Sequence, residues 1–209
     1  MKEKEFERLA KLKEIENSVY EEGYKLICGI DEAGRGPLAG PVVVASAIMP
    51  KESMIEGVND SKKISEKKRE KLYDIITTEA ISYGVGIIQQ DEIDEINILN
   101  ATKKGLTESL KQLRIKPDII LVDALRDINT LNIPYRSVIK GDAKIYSIAC
   151  ASIIAKVTRD RIMREWDKVY PQYGFISHKG YGTAKHIAAI KEYGLCPLHR
   201  KSFTKNFII

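Results

Sequence analysis

Tyr24-Lys25-Leu26-Ile27-Cys28-Gly29-Ile30-Asp31-Glu32-Ala33-Gly34-Arg35-Gly36-Pro37 runs an apolar segment into two adjacent acids and then into a glycine turn. An apolar run of this length, stopped by turn residues, predicts a buried strand over residues 24–31. Beyond the turn, the β-branched stretch 41–49 predicts a second strand, and 83–89 a third. Two further apolar runs, 118–123 and 135–139, read the same way, the first again closing on an acid at Asp123. Helical spacing fills the rest. Phe6, Leu9, Leu12, Ile15 and Val19 mark a helix over 3–21. Ser65 reads as the N-cap of a helix reaching about residue 80, with Leu72, Ile75 and Ile76 turned inward. Further helices are expected over 91–113, from just after Asp142 to about 170, and over 183–193. Residues 171–182 read as loop and the tail as irregular. Strands joined first by short loops and later through helices predict an α/β protein, a mixed sheet flanked by helices. Residues 23–209 form its main domain, and 1–22 a helical extension.

In open α/β sheets, sites gather beyond the carboxyl ends of strands, which is where Asp31, Glu32 and Asp123 fall. Carboxylates crowded there need protons or cations to offset their repulsion, and Mg²⁺ or Mn²⁺ suit oxygen ligands. Neighbouring strand residues point to opposite faces, so one of Asp31 and Glu32 must be turned by a kink that the following glycines permit. Asp142 follows the strand 135–139 and shares that edge if the strand runs parallel to the one ending at Asp123; on the residues alone, a cap on the next helix is the favoured reading. Asp160 lies about 27 Å further along that helix, and its expected partners are Lys156 or Arg164 at four-residue spacing.

Other chemistries find little support. Cys28, Cys150 and Cys196 form neither a CxxC pair nor a disulfide framework, which fits a reducing compartment. His178, His186 and His199 lack zinc-ligand spacing and are expected in loops or on the surface. Ser147 and Ser152 have no neighbouring base, and the glycine turn is not a phosphate loop of the GxxxxGK[ST] kind. The net charge of +5 is modest, but Lys62, Lys63, Lys67, Lys68, Arg69 and Lys71 cluster, as do Lys179, Lys185, Arg200, Lys201 and Lys205. Such groups either line a nucleic-acid groove or are solvated faces. No apolar run approaches a membrane span, and residues 1–16 read as neither a signal nor a transit peptide, so a cytoplasmic protein is expected.

With Gly40-Pro41-Val42-Val43, the segment Asp31–Pro37 resembles the opening signature of the ribonuclease HII family. Asn59-Asp60-Ser61-Lys62-Lys63, Ile96-Asn97-Ile98-Leu99-Asn100, Lys140-Gly141-Asp142, Ala151-Ser152-Ile153-Ile154-Ala155-Lys156-Val157 and His178-Lys179-Gly180-Tyr181 resemble the same family in the same order. The likeness implies a ribonuclease H-like five-stranded mixed sheet with a helical C-terminal part. It implies Asp31, Glu32, Asp123 and Asp142 as the catalytic, metal-binding quartet for Mn²⁺ or Mg²⁺, with Asp142 still free to cap its helix. It further implies that Gly34, Arg35 and Gly36 meet the 2′-hydroxyl of the scissile ribonucleotide, that Tyr181 stacks on the sugar at the RNA–DNA junction, and that Lys62 and Lys63 contact phosphates. The implied partners are RNA–DNA hybrids and DNA duplexes containing ribonucleotides, cut by two-metal hydrolysis, with the enzyme a monomer. Two departures stand out: Gly182 where many relatives carry Pro, and a helix at 1–22 that the shortest members lack. That helix is far too short for the extra domain of ribonuclease HIII.

Overall fold

The computed structural model describes residues 2–207. Five strands, β1 (Ile27–Ala33), β2 (Val42–Ile48), β3 (Ser82–Ile88), β4 (Ile119–Asp123) and β5 (Tyr135–Val138), form one sheet in the order β3-β2-β1-β4-β5. β2 pairs antiparallel with both β1 and β3, while β4 runs parallel to both β1 and β5. The mixed sheet expected from the sequence is therefore present, and β1 and β4 end on the same edge. Helix α3 (Gln90–Lys111) covers one face, where Leu106 and Leu110 pack with Cys28, Ile30, Ile120 and Val122. Helix α4 (Tyr146–Val169) covers the other, its Ala149, Ile153 and Ile154 packing with Val43, Ala45 and Ala47. At Gly29 the two layers touch backbone to backbone: a Cβ there would lie 2.2 Å from the Ser147 carbonyl carbon. Any side chain at this position would push α4 off β1.

Helix α1 (Glu3–Glu21) lies against this frame, burying Leu9, Leu12 and Val19. Its Glu16 is itself buried, and one carboxylate oxygen accepts the Ser147 backbone N–H at 2.7 Å. The first turn of α4 has no side-chain cap of its own, so Glu16 takes one of its orphan donors.

Several local expectations are corrected. Ile75 is 47% exposed; α2 (Glu66–Glu79) turns only Leu72 and Ile76 fully inward, and Ile75, about 100° round the helix from Ile76, falls on the rim of the stripe. The helix expected over 91–113 is broken at Asn97, whose φ of 65° is left-handed and whose side chain accepts the Leu99 and Asn100 N–H groups. Asn97 thus caps the second half-helix. The loop 171–182 contains a 3-10 turn (Pro171–Tyr173) and a short helix α5 (Phe175–His178), and beyond α6 (Ala184–Tyr193) the tail forms α7 (Lys201–Thr204). The tail's last two residues lie outside the described range.

Candidate active site

β1 stays regular through Ala33, and the turn begins only at Gly34, so no kink separates Asp31 from Glu32. Asp31 shares the α4 face with Gly29, and Glu32 shares the α3 face with Ile30. Their carboxylates still interact where the sheet ends. Burial, then the Glu32 and Asp142 charges, push the Asp31 carboxyl well above its ordinary range. Burial raises Glu32 as well, against Arg35, whose guanidinium lies 3.4 Å away, and Asp123 adds to the rise. For Asp142 the causes are burial, then Asp60 and Asp123, opposed by Lys62. Asp31 and Asp142 retain 6% and 7% of their exposure, so neither charge is discharged into water.

Asp142 arrives through a 3-10 turn, Gly141–Ala143, entered by Lys140 in the left-handed region at φ 59°. Gly141 donates its N–H to Asp123 Oδ1 at 2.9 Å, which ties the turn to the end of β4. The helix cap expected of Asp142 falls instead at Ile145, which leaves Asp142 beside the other acids.

Lys62 brings the opposing charge, its Nζ 3.8 Å from Asp142 Oδ2. Lys63 turns to Asp60 at 4.0 Å. This basic loop is anchored beside the acids because the Ser152 hydroxyl on α4 donates to Ser61 Oγ at 2.7 Å. Sequence reasoning missed Asp60. It sits in the Asn59–Lys63 motif and caps the 3-10 turn Ser61–Lys63 by accepting the Lys62 N–H, which reads as a loop residue.

The glycine turn is held by two arginines that the sequence also hides. Arg159 and Arg200 are fully buried. Arg159 donates to the carbonyls of Pro41, Lys179 and Ala39 at 2.9, 2.9 and 3.1 Å. Arg200 donates to Gly40, Arg35 and Gly34 carbonyls at 2.9, 3.0 and 2.6 Å. Its placement in a basic surface group is corrected: the guanidinium is spent on backbone oxygen. Gly34 has φ +99°, and a Cβ there would lie 2.1 Å from Arg159 Nε, so no other residue fits. The Tyr181 ring stands 3.8 Å from where a Cβ on Gly36 would be, lies 5.9 Å over Arg159, and is 43% exposed. It stands exposed beside the turn and is not a core residue.

The histidines are corrected too. His186 and His199 are buried, with their Nε2 atoms 3.1 Å apart, and His178 stacks on His186 at 4.5 Å. Asp160 pairs with Lys156 at 2.6 Å as expected, but its second partner is Arg69, at 3.6 Å; Arg164 goes to Glu70.

The family model described as Ribonuclease HII matches residues 28–206. The chain belongs to the ribonuclease HII family. A ribonuclease HII of Acetivibrio thermocellus is 59% identical over 99% of this chain and 80% of its own. The ribonuclease H2 of Pyrococcus horikoshii superposes with a TM-score of 0.73 at 29% identity, covering 87% of this chain and 96% of that one. The ribonuclease HII of Archaeoglobus fulgidus, solved in complex with PCNA, gives 0.69 at 29% identity over 84% and 93%. With the family comes the activity class: this ribonuclease HII family member is a ribonuclease H, a hydrolase.

As the side chains stand, no three His, Cys, Asp or Glu among the described residues meet the geometry one ion needs. The donor set nevertheless fits a hard divalent cation by its chemistry. Raised carboxyls at Asp31, Glu32 and Asp142 mark negative charge that Lys62 and Arg35 do not offset, and oxygen-only ligands suit Mg²⁺ or Mn²⁺.

Proposed function

We propose that the chain is an endonuclease that hydrolyses the RNA strand of RNA–DNA hybrids and cuts 5′ of ribonucleotides embedded in duplex DNA. One observation carries the reading: the carboxylates at the ends of β1 and β4 adjoin a glycine turn whose outer face is completed by the Tyr181 ring. Acids alone would suit any metal nuclease. The turn asks for a sugar.

Asp31, Glu32, Asp123 and Asp142 would hold two ions of Mn²⁺ or Mg²⁺, which when bound supply a water of lowered pKa and neutralise charge at the departing 3′-oxygen. The chain's own residues do the rest. Gly34, Arg35 and Gly36 present backbone to the 2′-hydroxyl, the group that distinguishes RNA from DNA. Tyr181 stacks on the junction sugar, and Lys62 and Lys63 take phosphates. In-line attack at the phosphate 5′ of the ribonucleotide breaks the bond to the 3′-oxygen and leaves 3′-hydroxyl and 5′-phosphate ends. Three free cysteines suit the cytoplasm, and among the described residues no helix is long and apolar enough to cross a membrane. Residues 23–209 act as one monomeric catalytic unit to which the N-terminal extension is fastened through Glu16 of α1.

A labelled DNA duplex carrying one ribonucleotide tests the reading with and without Mn²⁺. Metal-dependent cutting on its 5′ side is expected. Binding without cutting would instead indicate a non-catalytic module, and cutting of an all-DNA control would indicate a DNA nuclease. Within this reading, Tyr181→Ala lowers kcat/KM at isolated ribonucleotides about tenfold or more, from the loss of about 1–3 kcal/mol of stacking, and lowers it less on continuous hybrid. Equal losses on both substrates remove the junction role. Lys62→Ala raises KM more than Lys63→Ala, because Lys62 faces Asp142 whereas Lys63 is turned to Asp60; steady-state kinetics on one hybrid decides between them.

A further inference from the structure

Behind the Tyr181 loop lies a chain of hydrogen bonds whose direction is fixed. The Cys196 backbone N–H can only donate, and it meets His199 Nδ1 at 2.9 Å, so that nitrogen is an acceptor and the His199 proton sits on Nε2. His199 Nε2–H faces His186 Nε2 at 3.1 Å, which must then accept. The proton of His186 is therefore on Nδ1, which lies 3.0 Å from the Tyr181 carbonyl oxygen. The opposite assignment, with His199 Nδ1–H given to the Cys196 carbonyl at 3.2 Å, reverses every link. It leaves a bare His186 nitrogen facing the Tyr181 oxygen, lone pair against lone pair.

Both rings are locked in place. Phe175 meets His186 edge-on at 5.5 Å, and Tyr173 meets His199 at 4.9 Å. His178 stacks on His186 and accepts the Gly180 N–H at Nδ1, 3.2 Å away. The chain needs both rings neutral, and burial pulls His186 down to about 4 and lowers His199 in the same direction.

We infer that His186 and His199 are positioning residues: a tautomer-fixed relay that holds the Tyr181 carbonyl and so sets the Tyr181 ring at the distance from Gly36 that discriminates an isolated ribonucleotide. The inference rests on the reading of Tyr181 as the junction platform. It gives a buried histidine pair, outside the acid cluster, a part in substrate choice. The relay touches no substrate; it acts through one carbonyl. That carbonyl belongs to a loop already joined to the glycine turn, since Gly180 accepts the Leu38 N–H at 2.8 Å.

Two measurements test it. Nitrogen-15 NMR of the wild-type protein at neutral pH reads the tautomers directly: His186 protonated on Nδ1 and His199 on Nε2 are expected, and His186 protonated on Nε2 overturns the relay. The second is the ratio of kcat/KM on a single-ribonucleotide duplex to kcat/KM on a continuous hybrid. His186→Phe fills the space without the donor and is expected to lower this ratio about tenfold. His186→Asn, whose amide nitrogen falls near Nδ1, restores the ratio, a rescue that a merely space-filling role does not give. A double variant of His186→Phe with Tyr181→Ala is expected to fall no further than Tyr181→Ala alone. A wild-type ratio in His186→Phe, while Tyr181→Ala loses it, overturns the relay and spares the Tyr181 reading. A wild-type ratio in Tyr181→Ala itself overturns that reading and the relay together.

Discussion

Asp31→Asn is expected to reduce cleavage by at least about 10³-fold in Mg²⁺ or Mn²⁺, to leave binding of a hybrid duplex largely intact, and to raise the melting temperature when divalent ions are chelated. The two halves share one cause. Asp31 is buried at the end of β1, and the Glu32 and Asp142 charges lie close enough to add to the rise of its carboxyl above the ordinary range. A carboxyl whose folded pKa exceeds its unfolded value binds more protons folded than unfolded. Stability is therefore fully present below the unfolded pKa, near 3.9, and is lost as pH rises through the folded value. At neutral pH the wild-type chain without metal carries that strain, and the amide does not. Relief of about 1 kcal/mol corresponds to about 2–4 °C in a domain of this size. Calorimetry in chelator across pH 4–8 reads it, and the part of the pH slope due to Asp31 disappears in the variant. Normal turnover by Asp31→Asn would overturn the mechanism. A lower melting temperature in chelator would overturn the electrostatic account even if activity were lost.

What could be read from the sequence follows from how each residue acts. Asp31 and Asp123 end strands buried on both faces, which are visible as unbroken apolar runs, so their shared edge could be placed from β1 and β4 alone. Asp142 could not: a helix cap and a cluster acid look alike until the Gly141 N–H is seen on Asp123 Oδ1. Glu32 shows the reverse. A kink was expected to bring it round, yet the strand stays regular, and long-range charge, which alternation rules do not describe, couples it to Asp31 and Asp123. Arg159, Arg200, His186 and His199 left no signal, since the burial of a polar side chain is decided by the carbonyls and ring nitrogens that fold around it. Those acceptors lie in loops without a period. Arg200 read as one more cation in a basic tail, whereas its partners, Gly34, Arg35 and Gly40, are about 160 residues earlier.

That separation makes Arg200 the position where the second large effect is expected. Its guanidinium spans three backbone carbonyls of the glycine turn, is fully buried, and makes no carboxylate contact among the described residues. Burial and the neighbouring Arg159 charge depress it, so the carbonyl oxygens are what keep a cation there. Replacement by Leu leaves the Gly34 and Gly40 oxygens buried and unpaired, at about 1–3 kcal/mol each, and a net loss of about 3–5 kcal/mol is expected. Urea unfolding with Arg200→Leu measures it. Arg200→Lys is the sharper test of function. An ammonium keeps the charge but not the planar fork, and it cannot reach the Gly34, Arg35 and Gly40 carbonyls at once. The folded fraction of Arg200→Lys is therefore expected to retain its acid cluster while the turn loses its set position against Tyr181. Cleavage at a single ribonucleotide then falls at least about tenfold, with most of the change in kcat, because the sugar still binds but is held off line. Wild-type stability and wild-type preference in Arg200→Lys would mean that charge alone is wanted at this position, and that the turn proposed to read the ribose is shaped by something other than this arginine.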